Sequence, residues 1–356
     1  MRFTGLLSPF YLFLTLIYSD YIMAQPAPLT FSSFPALPDS QGFAAMYAGV
    51  SHGTLLAMGG ANFPEKFPWD GGTKKWYDHI YAFTNGKWQL LNKKLPQAAG
   101  YGVAVSYQDQ VILVGGCTPN SHLSSVFSYE WVDNKLTKKD FPSLPEPLAY
   151  MTGALLGDCL VVMGGTNSPT DPPLSRAFLL DLARPGKGWQ LLNTWPGSER
   201  TLPASGVFGD RILLMGGETT GLNAFGEKFR NILLDNYELR LNYASGTWNG
   251  IWKKMAPIPR GVSAAGTLPQ IGPDRMLIWG GVDAVTAQYR TPQTHPGIGR
   301  SMLYYYPEND TWEFIAEQQD FPARVTLAVV PYQSSWLYIS GEVKPGIRTP
   351  TIVEVR

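Results

Sequence analysis

His52, His79, His122 and His295 lie without the spacing of a metal site. No glycine-rich loop introduces a helix that could cradle a phosphate, and no G-x-S-x-G elbow presents a nucleophilic serine. The residues left with chemistry to offer are Glu342 and Arg348, in the segment GEVKPGIRTP at 341–350. A carboxylate can take and return a proton without a metal or redox cofactor, and an Arg can hold a carboxylate by paired hydrogen bonds. A lone Glu and Arg also read as an ordinary loop ion pair. The choice rests on the Lys-Pro-Gly between them and on the rest of the chain.

Glu342 closes the last of six apolar runs that end in a glycine pair or its near-equivalent. They are LLAMGG ending at Gly60, VILVGG at Gly116, LVVMGG at Gly165, ILLMGG at Gly217, MLIWGG at Gly281 and LYISGE at Glu342. The runs recur every fifty to sixty residues or so. Most are followed by an aromatic or β-branched stretch and a Trp, as in 80–83 with Trp88, 178–180 with Trp189, Tyr237 with Trp248, and 304–306 with Trp312. The segments are short, rich in β-formers and bounded by Gly, Pro, Asn or Asp, with no sustained helical period. This pattern resembles the kelch repeat, in which four antiparallel strands make one blade. Six copies imply an all-β, six-bladed kelch-type β-propeller. The small residues ahead of each run, such as those at 42–45, 102–104 and 263–266, suit strands crowded at its centre. After Glu342 only one further strand fits, at 351–355, so the last blade lacks its outer strand. Residues 29–34 are expected to supply it and close the ring.

With 356 residues, length alone suggests two domains, but the repeat makes 25–356 a single propeller. A hydrophobic content of 44% with 37 Gly and 29 Pro suits a turn-rich β protein with a real core. A formal charge of +0 gives no footprint for nucleic acid or an anionic membrane. Arg2, the apolar stretch 3–17 and Ala24 before Gln25 read as a secretory signal peptide over 1–24. Asp20 breaks the run before it reaches the roughly 20 apolar residues of a span, so export to the periplasm without membrane insertion is expected. Cys117 and Cys159 sit at opposite ends of equivalent strands and are read as unpaired.

The segment at 341–350 resembles the catalytic stretch of the bacterial N-acetylneuraminate epimerases, or sialic acid mutarotases. The Gly-Glu, Lys-Pro-Gly and Arg-Thr elements of that family stand here in order. GGANFPEK from Gly59, YGVAVSY from Tyr101 and FPARVTLAVV from Phe321 extend the likeness along the chain. The Glu-bearing blade comes last rather than mid-chain, which resembles the cyclically permuted branch of that family. A closed ring keeps its spatial neighbours under permutation.

The resemblance implies interconversion of the α and β anomers of N-acetylneuraminate with no cofactor and no metal. The anomeric hydroxyl gives up a proton, the ring oxygen gains one, the open form turns, and the ring closes on the other face. It makes Glu342 the catalytic base and Arg348 the holder of the sugar carboxylate. The partner is then a small sugar acid. An exported kelch propeller that binds a glycan or protein without turnover is the alternative.

Topology extends the site. Ala61, Cys117, Thr166, Glu218 and Val282 match Glu342 in the other runs and should face the same end, as should the starts of the preceding strands. Tyr101, Tyr150, Arg260 and Arg324 lie at or beside those starts. Tyr101, Arg260 and Arg324 are expected to bind substrate, although either Arg could instead anchor a loop. Glu218 is a possible acid partner, solvent or another acid being the alternatives. Insertions at 62–78, 221–231 and 283–300 should rim the mouth with Trp69, Phe225, Arg230, Tyr289 and Arg290, or be loop decoration.

Overall fold

The computed structural model describes residues 28–222 and 224–356, and the leader expected at 1–24 lies outside them. The described residues form six four-stranded antiparallel sheets around a central channel. The first blade comprises Tyr47–Ser51, Thr54–Met58, Ile80–Thr84 and Lys87–Leu90, running outward in chain order. Each apolar run supplies the second strand of a blade. Leu55, Leu56, Ala57 and Met58 have no exposed surface. That burial on both faces explains why the runs are continuous instead of alternating, because every blade is packed between two others.

A separate apolar core fills each gap between blades. Leu56, Met58 and Ile80 meet Val111, Leu113 and Tyr129 of the second blade. Leu55, Ala57 and Tyr81 meet Leu337, Ile339 and Ile352 of the sixth. The repeated Trp ties neighbouring blades at their outer edges. Trp88 Nε1 donates to the Pro35 carbonyl, Trp189 to Pro142, and Trp312 to Ala256, at 2.8, 2.8 and 3.3 Å. In the fourth blade Trp252 makes this bond, to Asn193, while Trp248 donates to Asp181. The sequence points to Trp248 because it comes first after the strand. The strands of this blade are longer, and the clasp falls four residues, two repeats of the pleat, further along.

The ring closes as its ends require. Ala328–Tyr332, Ser335–Ile339 and Ile352–Val355 form three strands of the sixth blade, and Phe31–Phe34 adds the fourth. Phe31 pairs with Val355 and Phe34 with Ile352, and Thr30 and Arg356 exchange two further backbone bonds. Cys117 and Cys159 are buried and unpaired. Among the described residues no helix is long and apolar enough to cross a membrane.

At the channel entrance the blades are joined by a circuit of backbone hydrogen bonds. Tyr101 N donates to Ala45 O, Tyr150 N to Tyr101 O, Leu202 N to Tyr150 O, Ala264 N to Leu202 O, Thr326 N to Ala264 O, and Ala45 N to Thr326 O, at 2.5–3.1 Å. All six residues have φ between 50° and 61°.

Removing residues 28–34 bares the hydrogen-bonding edge of Ile352–Val355 and uncovers side chains that are now fully buried, each worth about 1.5–3 kcal/mol. The deletion is expected to lower Tm by about 5 °C or more, read by calorimetry. An unchanged melting curve would contradict closure by this strand.

Candidate functional site

Six equivalent bridges set the geometry of the mouth. Ala44 pairs with Ala61, Gly100 with Cys117, Ala149 with Thr166, Thr201 with Glu218, Ser263 with Val282, and Val325 with Glu342. Each residue matching Glu342 is thereby tied to the residue just before a member of the backbone circuit. The six matching positions share one end of the channel. The six circuit residues line a cavity of about 110 Å³ below it, two of them being Tyr101 and Tyr150.

Glu342 and Arg348 face each other across a hairpin, Glu342–Lys344 with Ile347–Arg348, where sequence reading expects only a loop. Pro345 and Gly346 form its turn. Gly346 has φ 77°, the left-handed value that a turn with Pro before it needs from glycine. A Cβ there would lie 2.6 Å from Pro68 and 3.2 Å from Trp69, so the 62–78 insertion is packed directly on the turn. The Gly346 N–H also points at the Glu342 carboxylate. Ser340 replaces the first glycine of the pair at φ 56°. Its hydroxyl accepts from Phe43 N at 2.8 Å and lies 2.7 Å from Thr349 O, stitching the hairpin base to the first blade.

Arg348 Nη2 donates to Glu342 Oε2 at 2.7 Å, with the Arg side chain 4% exposed and that of Glu342 20%. The guanidinium carbon lies 4.7 Å from the Phe63 ring centre. Its Nε and Nη1 are buried and have no hydrogen-bond partner. Burial pushes the Glu342 carboxyl above its ordinary value despite the opposing pull of Arg348, Lys74, the Gly346 N–H and Arg230. The result is a carboxylate more basic than a surface one and a cation with two donors to spare.

Lys74, from the 62–78 insertion, completes the group. Its Nζ donates to Tyr101 Oη at 2.6 Å and sits over the Tyr101 and Trp76 rings at 4.2 and 4.7 Å. Burial, and then the charge of Arg348, bring the Lys74 ammonium down to about 8, against the opposing influence of Cys117 and Glu342. Tyr101 packs on Tyr150 at 4.9 Å, and the Tyr150 hydroxyl is 3.7 Å from Cys117 Sγ. Burial raises the pKa of both phenols and of the thiol, holding all three protonated. Sequence reading missed Lys74. A Lys-Lys pair in a long loop has no period to mark it, and the following Trp76-Tyr77 is the only sign that the loop returns to the core.

The other candidates divide. Glu218 carries a two-point ion pair with Arg230, at 3.0 and 2.5 Å, and accepts from the Ser263 hydroxyl at 2.7 Å. Every contact it makes is with a donor, so it is built to accept and not to give a proton. Arg324 does not line the pocket. It is 2% exposed and donates to the carbonyls of Tyr338, Ser340 and Thr351. It precedes its circuit residue by two positions, as Arg200 precedes Leu202, and both side chains lie between blades, where Arg200 binds Asp235 and the Gly216 carbonyl. Arg260 likewise donates to the carbonyls of Gly261, Gly280 and Ser301. Both arginines anchor loops. Around the rim, Trp69 stacks on Phe67, Arg290 approaches Glu227 at 4.0 Å, and Phe225 and Tyr289 remain exposed.

The fold and mouth together define a six-bladed kelch-type propeller with Glu342, Arg348, Lys74 and Tyr101 gathered at one end of its channel. Residues 29–138, which span the closing strand, the first blade and most of the second, match the family model for N-acetylneuraminate epimerase. A curated N-acetylneuraminate epimerase of Salmonella enteritidis PT4 (strain P125109) is 40% identical over 121 residues, covering 30% of this chain and 31% of the relative. That of Yersinia pestis (strain Pestoides F) is 37% identical over 106 residues, 27% of each. The chain spans about a third of the length of the curated relatives it matches. The solved structure of YjhT superposes with a TM-score of 0.65 at 16% identity, over 91% of this chain and 99% of that one, which is a likeness of fold. The chain is thus related to the N-acetylneuraminate epimerase family through its first two blades. The family match includes Lys74 and Tyr101 and ends before Glu342 and Arg348.

Gly346→Ala puts a side chain into left-handed backbone and against Pro68. A loss of roughly 1–3 kcal/mol is expected in urea unfolding, with displacement of the hairpin. Wild-type stability would show that the turn can relax without cost.

Proposed function

We propose that this propeller interconverts the anomers of N-acetylneuraminate or a closely similar keto sugar acid, with Glu342 as base and Arg348 binding the sugar carboxylate. The observation that carries the reading is the Arg348 guanidinium. Nη2 is on Glu342, while Nε and Nη1 are buried and unpaired; these two diverge, so a bound carboxylate would engage one of them together with the second Nη2 hydrogen. Glu342 takes the anomeric hydroxyl proton as the ring opens and returns it after the open form turns. Curated relatives of the first two blades bear the matching name. We read the blade order as a cyclic permutation and 1–24 as a leader, which would put the reaction in the periplasm.

Proton NMR of freshly released α-N-acetylneuraminate, with and without protein, tests the activity. Equal rates in both tubes would end the reading for this sugar. Glu342→Gln should slow equilibration by roughly 10²-fold or more while binding is retained. Arg348→Ala should instead raise KM, and the defect should shrink with a sugar that lacks the carboxylate.

The base works ionised, and burial holds its pKa above the ordinary 4.5. The rate should therefore climb with pH through a limb displaced upward from that value. A limb at or below 4.5 would contradict a buried base. Expressed in a Gram-negative host, the protein should appear in the periplasmic fraction with its N-terminus shortened by about two dozen residues. Full-length mass confined to the cytoplasm would oppose export.

A further inference from the structure

We infer that Tyr101 is the proton donor to the sugar ring oxygen and that Lys74 acts through it, holding the hydroxyl in position for that transfer. The assignment rests on the mutarotase reading and supplies the acid that Glu342 requires.

The argument begins with what surrounds the hydroxyl. Tyr101 Oη accepts from Lys74 Nζ at 2.6 Å and is acted on by the Arg348 guanidinium. Neither cation can accept a hydrogen bond, so the phenolic hydrogen must be directed elsewhere. No hydrogen bond donated by this hydroxyl occurs among the described residues. Tyr101 therefore presents a buried donor without an acceptor, beside a base and next to the cavity that its own side chain lines. Its backbone is fixed at φ 61° by the circuit, and its ring is held by Tyr150 and by the ammonium above it. The charge of Glu342 acts on both Lys74 and Tyr101, and that of Lys74 acts on Glu342. Glu218, the other acid considered, is enclosed by Arg230 and Ser263.

The proton balance is simple. As Glu342 removes the anomeric hydroxyl proton, that oxygen forms the carbonyl double bond. The bond from the anomeric carbon to the ring oxygen breaks, its electron pair staying on the ring oxygen, which takes the Tyr101 proton. The Lys74 ammonium stabilises the phenolate so formed. After rotation, the former ring oxygen attacks the other face of the carbonyl and returns its proton to Tyr101, while Glu342 gives its own proton to the new anomeric oxygen. Burial keeps the phenol protonated until a substrate arrives, and a departing alkoxide is basic enough to deprotonate it.

Lys74 is faced by Tyr101, Arg348, Cys117 and Glu342, and by the Trp76 ring. A neutral Lys74 amine would accept the phenolic hydrogen instead of directing it to the sugar. The wild-type rate should thus fall as pH rises through about 8.

Anomer equilibration by NMR across pH, on wild type, Tyr101→Phe and Lys74→Met, each checked for folding by thermal melting, tests the assignment. Tyr101→Phe keeps the ring packing, and a fall in kcat of roughly 10²-fold with KM near wild type is expected. Lys74→Met should be slower and should lose the alkaline limb near 8, a change that a purely structural lysine would not produce. If wild type accelerates equilibration and a folded Tyr101→Phe is equally fast, or is impaired only in KM, the assignment is wrong and the mutarotase reading survives. Should Tyr101→Phe fail to fold, retention of the alkaline limb by Lys74→Met overturns the proposal. A wild type with no effect on the rate overturns both.

Discussion

Six peptide hydrogen bonds passed from blade to blade around the channel are the constraint on which the mouth depends. To make them, each blade places one non-glycine residue in left-handed backbone, at a cost on the order of 1 kcal/mol or more. The interblade cores and the bridges on either side hold that conformation in place. With the backbone fixed, the side chain at each circuit position has one way to point. Two tyrosines enter the channel from adjacent blades while alanines, a leucine and a threonine occupy the rest. Identical backbones thus carry a lopsided set of side chains, and the chemistry gathers where the first, second and sixth blades meet.

The electrostatics of that sector follow from burial. Three cations act on Glu342, yet burial outweighs them and its carboxyl stays above the ordinary range. Lys74 is lowered by the same burial, aided by Arg348. At the mouth Lys74, Arg348 and Arg230 stand against Glu342 and Glu218, three cations to two carboxylates, in a chain whose formal charge is +0.

Much of this was legible in the sequence because it repeats. Gly-Gly pairs mark the ends of second strands, so the alignment of six runs puts Glu342, Glu218 and Cys117 at one end without any knowledge of coordinates. The closing strand was legible from a shortage, since the sixth blade runs out of chain. What the repeat could not supply was side-chain direction. Arg324 and Tyr101 both lie near strand starts, but a displacement of two residues separates a side chain between blades from one in the channel. Arg260 lies four positions before its circuit residue and takes the loop-anchoring alternative. Lys74 lay beyond reach because insertions carry no register, and its role arises from a loop folding back over a turn in a blade far away in sequence. The hairpin at Glu342 was read as a loop because Pro-Gly announces a turn without revealing the short pairing on either side.

Closure has a consequence for the order of assembly. Five blades are built from strands close in sequence, while the sixth joins Ser32 to Glu354, a separation of 322 residues. Local sheets form ahead of such distant pairing, whose loop must be closed before any contact rewards it. Glu342, Arg348 and the Ser340 stitch all belong to the sixth blade, whereas Lys74, Phe63 and Phe43 belong to the first or to the segments around it. The chemical group therefore comes into being only when the two ends of the ring meet. Until residues 31–34 and 352–355 pair, nothing in the sheet order holds Glu342 beside Lys74.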